Sequence, residues 1–178
     1  MARTWKILVV EDTPQNIKVL DAILTPHGYT VVAASSGAEA LKHVRGELPD
    51  LILLDLVMPG MSGYEVARHL RADPATRFLP IVMVTAFGAQ EEKVTALEAG
   101  ADDFLTMPVN HLELLARVRS LLRLKEYHET IELQAAQLAE WNRTLEARVQ
   151  RQVQELEQLR RLRRFLAPQL AEMIVASQ

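Results

Sequence analysis

The sequence contains no cysteine among its 178 residues. Disulfides, thiolate catalysis and cysteine-ligated zinc or iron–sulfur centres are therefore excluded, and a reducing compartment is compatible with the composition. The net charge is only −3, which does not favour a nucleic-acid partner. No apolar run approaches the roughly 20 residues that a membrane span needs, and Glu11 and Asp12 come too early for a signal peptide. These absences predict a soluble, cytoplasmic protein without a membrane partner.

Short runs rich in Val, Ile and Leu alternate with amphipathic stretches over the first two thirds of the chain. Runs without polar alternation are typical of strands buried on both faces, and therefore of a parallel sheet. Thr13 and Pro14 are suited to start a helix, and Gly100 is suited to end one. The pattern predicts an α/β domain with a five-stranded, doubly wound parallel sheet over about residues 5–122. The predicted strands are residues 6–10, 29–33, 51–55, 80–85 and 102–106.

Carboxylates follow two of these strands. Glu11 and Asp12 end the first strand and Asp55 ends the third, while Thr85 ends the fourth. In an open parallel sheet, sites form at the carboxyl ends of the strands. Three carboxylates at one edge repel each other unless a cation joins them, and oxygen ligands with open water positions suit Mg²⁺. A carboxylate beside Mg²⁺ is also a credible phosphoryl acceptor, because the metal neutralises charge on the transferred group.

Four segments carry a family resemblance: "ILVVEDTPQN", "PDLILLDLVMPGMSGYEV", "IVMVTA" and "AGADDFLTMPV". In order and spacing they resemble the receiver domain of two-component response regulators, a flavodoxin-like fold, here over residues 1–122. The resemblance implies that Asp55 is the phospho-accepting aspartate. It implies a Mg²⁺ site made by Glu11, Asp12, Asp55 and the backbone carbonyl of Val57. A histidine kinase or phosphotransfer protein is the implied upstream partner.

The resemblance also implies residues that respond to phosphorylation. Thr85 corresponds to the switch hydroxyl and Phe104 to the aromatic that changes rotamer on activation; simple core packing is the alternative for Phe104. Pro59 and Gly63 would shape the loop after the acceptor. The Met107–Pro108 bond is expected to be cis, as in the family.

Met107 departs from the family pattern, because the family has a lysine at this position. Methionine cannot donate a charge-assisted hydrogen bond, so we expect heavier reliance on Mg²⁺ and weaker coupling to Thr85 and Phe104. Three explanations remain open. The first is that Met107 is a natural departure in a degenerate receiver. The second is that it is a substitution introduced into the natural sequence. The third is that methionine is the wild-type residue and another cation nearby takes the place of the lysine.

The last third has a different pattern. No Pro or Gly occurs from Val109 to Arg164, and apolar residues recur at heptad spacing, which predicts a long α-helical coiled coil over residues 123–166. The partner would be a second copy, giving a homodimer through residues 124–166; a helix folded back on its own domain is the alternative. The d positions are Leu124, Ile131, Leu138, Leu145, Gln152, Leu159 and Leu166, and the a positions are His128, Ala135, Asn142, Val149, Leu156 and Arg163.

The end of the chain points to an output domain outside these residues. Pro168 is predicted to start a short helix over residues 167–178. The closing "LRRLRRFLAPQLAEMIVASQ" resembles the segment that leads into class III adenylate or guanylate cyclase domains. Diguanylate cyclases and phosphatases remain alternative outputs. We interpret the arginines at 160, 161, 163 and 164 as a solvated helix face rather than a site for nucleic acid or acidic lipid.

Three functional classes therefore compete. The first is a regulatory phospho-switch that is not a stand-alone enzyme, and the second is a phosphorylation-independent dimerisation module, which Met107 favours. The third is a phosphohydrolase on the same fold. It is disfavoured because Val57, two residues beyond Asp55, cannot act as a general acid or base.

Overall fold

The computed structural model describes the backbone of residues 3–86 and 90–176, and their side chains except those of residues 90–93 and 165–176. Five strands and five α-helices alternate, with one 3₁₀ turn at Thr25–His27 after the first helix. The strands are β1 (Lys6–Val10), β2 (Thr30–Ala34), β3 (Leu51–Asp55), β4 (Ile81–Thr85) and β5 (Asp103–Thr106). The helices are α1 (Pro14–Leu24), α2 (Gly37–Gly46), α3 (Gly63–Ala72), α4 (Gln90–Glu98) and α5 (His111–Ala176).

All five strands are parallel and lie in the order β2-β1-β3-β4-β5. The predicted five-stranded, doubly wound sheet is therefore confirmed. Strand β2 starts one residue later than predicted, because the turn at Gly28, where φ is +84°, comes directly before Tyr29 and leaves that residue outside the strand. Strand order reverses between β1 and β3, which places a crevice at the carboxyl ends of these two central strands.

Alternate residues of the strands face opposite core layers. Leu8 and Ile52 pack into one layer, which also contains apolar residues of α2, α3 and α4. Val9 and Leu53 pack into the other, with apolar residues of α1 and of the first three turns of α5. Because both faces are covered, the central strands are apolar along almost their whole length, as the sequence pattern predicted.

The chain divides into two compact units, Met1–His128 and Glu129–Gln178. The first unit extends beyond the predicted boundary at residue 122, because contacts continue along α5. The ammonium of Lys125 donates to Asp50 Oδ1 at 2.8 Å, and the ring of His128 lies 4.3 Å from that of Phe78. These contacts hold the last turns of the unit against the amino ends of β3 and β4.

The prediction of a separate short helix from Pro168 is wrong for the described backbone. Helix α5 continues through this residue to Ala176. A proline inside a helix removes one backbone hydrogen bond and can bend the axis, but the flanking turns can keep their helical dihedrals. The last two residues of the predicted helix lie outside the described residues.

No described helix is sufficiently long and apolar to cross a bilayer.

Candidate functional site

Three carboxylates meet at the crevice between β1 and β3. Glu11 and Asp12 follow the last residue of β1, and Asp55 is the last residue of β3. One carboxylate oxygen from each residue lies within 4.8 Å of the others. The register explains this meeting, since Val10 pairs with Leu54 and the two strands therefore end side by side. The predicted acidic residues are thus brought together by the sheet.

Glu11 is held in place by the start of α1. It is buried, and its Oε1 accepts hydrogen bonds from the Asn16 side-chain amide at 3.0 Å and from the Thr13 backbone N–H at 3.2 Å. Asp12 is exposed, and its Oδ1 accepts a hydrogen bond from the Thr13 hydroxyl at 3.2 Å. The sequence analysis did not identify Asn16, or the hydrogen bond that the Thr13 backbone N–H donates to Glu11. The position of both residues directly after the acidic pair, where α1 begins, could have indicated these contacts.

Asp55 is difficult to ionise in this setting. Burial, followed by the negative charge of Glu11, raises its pKa from 3.8 to about 6, and Asp12 adds a smaller effect of the same sign. Hydrogen bonds from the backbone N–H groups of Val57 and Leu56 act in the opposite direction but do not cancel the rise. A divalent cation would remove the repulsion among the three groups, and an all-oxygen donor set fits Mg²⁺.

The loop after Asp55 is closely packed against the strand. The Gly63 N–H donates to the Leu56 carbonyl at 3.0 Å, and a Cβ on Gly63 would lie only 2.2 Å from the Asp55 carbonyl oxygen. Any larger residue at 63 would push α3 away from the acceptor loop. A capping box between Ser62 and Glu65 fixes the first turn of the same helix. Glycine at 63 therefore has a positioning role in the loop after the acceptor, where the family resemblance implied one.

Met107 faces the carboxylates across the crevice. It lines a cleft of about 380 Å³ together with Glu11, Asp12, Asp55 and Val57; the remaining lining residues are Thr13, Asn16 and Ala86. No described residue lining this cleft is a lysine or an arginine. The Met107 side chain is partly buried on the core layer that contains α1 and α5. The Met107–Pro108 bond is cis, as predicted.

Thr85 and Phe104 are not among the described residues that line the cleft. Thr85 is buried at the end of β4, and its carbonyl accepts the Met107 N–H at 2.8 Å. Phe104 is partly buried against the core layer of α2, α3 and α4, and the Arg117 guanidinium lies 6.0 Å from its ring centre. A backbone hydrogen bond thus connects the end of β4 with the turn after β5. The Phe104 side chain packs against the core.

Comparison with known proteins identifies the class. Residues 7–119 match the family described as the response regulator receiver domain. The chain is 48% identical over 120 residues to the response regulator PleD of Caulobacter vibrioides, covering 67% of this chain and 26% of PleD. It is 39% identical over 141 residues to the phosphate regulon transcriptional regulatory protein PhoB of Escherichia coli, covering 78% of this chain and 61% of PhoB.

Solved structures give the same result. A putative response regulator from Chloroflexus aurantiacus is 37% identical with a TM-score of 0.67, covering 68% of this chain and 99% of that one. A CheY-like receiver domain protein from Methanospirillum hungatei is 29% identical with a TM-score of 0.66, covering 71% of this chain and 99% of that one. This chain therefore belongs to the response regulator receiver family, as its motifs predicted. It spans about a quarter of PleD and under two thirds of PhoB.

Receiver domains bind Mg²⁺ at an acidic site and are phosphorylated by histidine kinases or phosphotransfer proteins, and they regulate an output. The Glu11, Asp12 and Asp55 cluster has the composition of such a site.

Proposed function

We propose that this chain is a Mg²⁺-dependent receiver in which Asp55 accepts a phosphoryl group. The observation that carries the proposal is the meeting of Asp55 with Glu11 and Asp12 at the β1–β3 crevice. Glu11, Asp12, Asp55 and the Val57 carbonyl would hold the ion. When bound, Mg²⁺ would neutralise charge on the phosphoryl oxygens and on the carboxylate cluster.

The protein groups have separate tasks in this reaction. An Asp55 carboxylate oxygen forms the new bond to phosphorus, while the bond from phosphorus to the donor breaks. The backbone N–H groups of Val57 and Leu56 orient the carboxylate, since both hydrogen bond to it. Asn16 and Thr13 fix Glu11, so that the second carboxylate stays close to the acceptor. Such pre-positioning is how proteins accelerate phosphoryl transfer.

Thr85 and Phe104 are the proposed response elements. The hydroxyl of Thr85 would bind a phosphoryl oxygen, and Phe104 would change rotamer in response. Met107 offers no cation at the position where the family has lysine, so we propose that coupling between Asp55 and these two residues is weak. Met107→Lys, compared with the unchanged chain, should strengthen the phosphorylation-dependent chemical-shift change at Phe104 if this is correct.

The long helix is proposed to transmit the signal. The described side chains from 131 to 164 are exposed, and their heptad spacing suits a homodimer. A change in dimer geometry could then reach an output domain, for which we propose a class III nucleotide cyclase on the likeness of the closing segment. A diguanylate cyclase or a phosphatase is the alternative output.

Mg²⁺ and beryllofluoride test the acceptor role, because together they mimic an acyl phosphate. We expect saturable binding that is abolished by Asp55→Asn and by chelation of Mg²⁺, and a hydroxylamine-labile and alkali-labile phosphoryl adduct at Asp55 after incubation with acetyl phosphate. Glu98→Gln, an exposed carboxylate on α4, is the matched control and should behave like the unchanged chain. Binding that survives Asp55→Asn would disprove the assignment.

A phosphorylation-independent dimerisation module is the second candidate, favoured by the absence of a basic residue among the described residues of the cleft. It predicts no beryllofluoride binding and no adduct, with dimerisation unaffected by Asp55→Asn.

A further inference from the structure

The second unit has a line of exposed apolar side chains along α5. The apolar side chains of this line, which runs from Ile131 to Leu162, are each 48–68% exposed. Helix α5 is the only element in the described part of this unit. Isolated apolar residues on a surface need no explanation, but a continuous stripe on one helix requires a partner. The stripe comprises Ile131, Leu138, Trp141, Leu145, Val149, Val153, Leu156, Leu159 and Leu162.

A depression in the surface of α5 borders the apolar stripe. Trp141, Thr144, Leu145 and Arg148 surround a depression of about 240 Å³. With Leu145 at d, these residues occupy the g, c, d and g positions, so the depression lies along one side of the a–d seam. Trp141 and Leu145 therefore present apolar surface at the edge of the seam that a second helix can cover.

The polar residues of the seam restrict how a second copy can be aligned. Asn142 and Gln152 interrupt the a and d positions, and each needs a polar partner once the seam is closed. Two alignments provide one. A parallel pair in register places Asn142 opposite its own copy and Gln152 opposite its own copy. An antiparallel pair centred on Ala147 places Asn142 opposite Gln152.

Charge distinguishes between these two alignments. In the parallel pair, Glu155 at g lies beside Arg160 at e of the partner helix, which gives two attractive pairs by symmetry. No other g–e pair in residues 131–164 joins two charges. In the antiparallel pair, Glu132 lies beside Arg160 of the partner helix, which also gives two attractive pairs. However, Arg148 and Glu146 each meet their own copy across the axis, and these two like-charge contacts, which the parallel pair lacks, are unfavourable.

The ends of the seam support the same choice. The antiparallel pair would set Ile131 against Arg163, and would therefore bury a guanidinium on an apolar side chain at both ends. The parallel pair sets Arg163 against its own copy at one end only. There the long side chains can keep their charged groups in water while their methylene groups cover the seam.

We infer that residues 131–164 form a parallel, in-register homodimer with another copy of this chain. The functional meaning of this dimer rests on the proposed signalling role of α5. The pairing itself does not require phosphorylation. A parallel pair brings the two carboxyl ends of α5 together.

The lack of native cysteine allows a direct test by disulfide formation. Leu138→Cys and Leu159→Cys, made singly in the full chain, place one thiol at a d position. In the parallel pair each variant faces its own copy and should give a near-complete covalent dimer under mild oxidation. In the antiparallel pair residue 138 faces residue 156, so neither variant should link to itself. Gln154→Cys, at the outward f position, is the matched control and should remain largely monomeric on a denaturing gel.

Charge exchange provides a second, independent readout. Glu155→Arg should raise the dimer dissociation constant by about tenfold, because two attractive pairs become repulsive. Adding Arg160→Glu should restore it, and sedimentation equilibrium measures both. A monomer at all concentrations, a trimer, or a mixture of the Leu138→Cys and Leu156→Cys proteins that links only between positions 138 and 156 would overturn the inference. Repeating the linking in an Asp55→Asn background keeps this result separate from the acceptor proposal, since the dimer should persist when phosphorylation is abolished.

Discussion

Replacing Asp55 with asparagine should stabilise the metal-free protein at neutral pH. The side chain keeps its shape, and its amide oxygen can still accept a hydrogen bond from the backbone N–H groups of Val57 or Leu56, which bond to the Asp55 carboxylate. What disappears is a negative charge that burial and Glu11 both disfavour. The site that we propose for phosphorylation is thus a place where the fold sacrifices stability for function.

The magnitude follows from the pKa of Asp55, which rises from 3.8 to about 6. At about 1.4 kcal/mol per pKa unit, ionisation of this group costs the folded state about 3 kcal/mol. The carboxylate is only half buried and water screens part of the effect, so we expect a gain of about 1–2 kcal/mol in the free energy of unfolding.

The sign of the pH dependence is also determined. The folded pKa lies above the unfolded value, so the penalty is complete above about pH 6, is lost progressively as the pH falls from 6 to the unfolded pKa of 3.8, and is absent below it. The advantage of Asp55→Asn should therefore be largest near pH 7.5 and fall to about one third near pH 4.5.

Urea unfolding in the presence of a chelator is the suitable assay. Trp5 packs against the core of the first unit, so its fluorescence reports unfolding there. A Trp141→Phe background removes the other tryptophan. Glu98→Gln serves as the control for loss of a remote, exposed carboxylate and should change little. An Asp55→Asn protein that is no more stable near pH 7.5, or whose gain does not vary with pH, would refute the reasoning.

Three further predictions concern the same unit. Mg²⁺ should raise the unfolding midpoint of the unchanged chain and raise it less in Asp12→Asn, as measured by thermal denaturation; an equal rise would exclude Asp12 as a ligand. Arg71→Leu should cost about 2–4 kcal/mol in urea unfolding, because Arg71 donates at 2.8 Å to the Gly100 and Leu79 carbonyls and to the Asp102 carboxylate; Arg68→Leu on the exposed face should cost little. Met107→Lys should lower the Asp55 pKa and weaken Mg²⁺ binding, measured by carboxyl-carbon NMR titration, and an unchanged pKa would show that residue 107 does not reach the acceptor.

The elements of the first unit were largely predictable from local patterns. Uninterrupted Val, Ile and Leu runs identified the five strands within one residue at their starts, because a strand covered on both faces has no polar alternation. Thr13 and Pro14 marked the start of α1, and Gly100, with φ of 103°, marked the end of α4. These signals are short-range properties of the backbone, so one sequence contains them.

Contacts between distant residues were not predictable in the same way. The ion pair of Lys125 with Asp50 joins residues 75 positions apart and extends the first unit to His128. The hydrogen bond from Asn16 to Glu11 depends on how α1 leaves the sheet. The rule that proline ends a helix also failed, since α5 continues through Pro168. A proline lowers the stability of a helix but does not by itself end it.

The sequence by itself determined the class of fold, the identity of the acidic residues and the absence of lysine at position 107, because these depend on residue type and spacing. Tertiary structure alone decided how closely Glu11, Asp12 and Asp55 approach one another, and that Met107 lines the same crevice. It also decided that Asp55 is half buried and has a pKa near 6. The physical reason is that burial and charge repulsion depend on distances through space, and only the pairing of β1 with β3 establishes those distances.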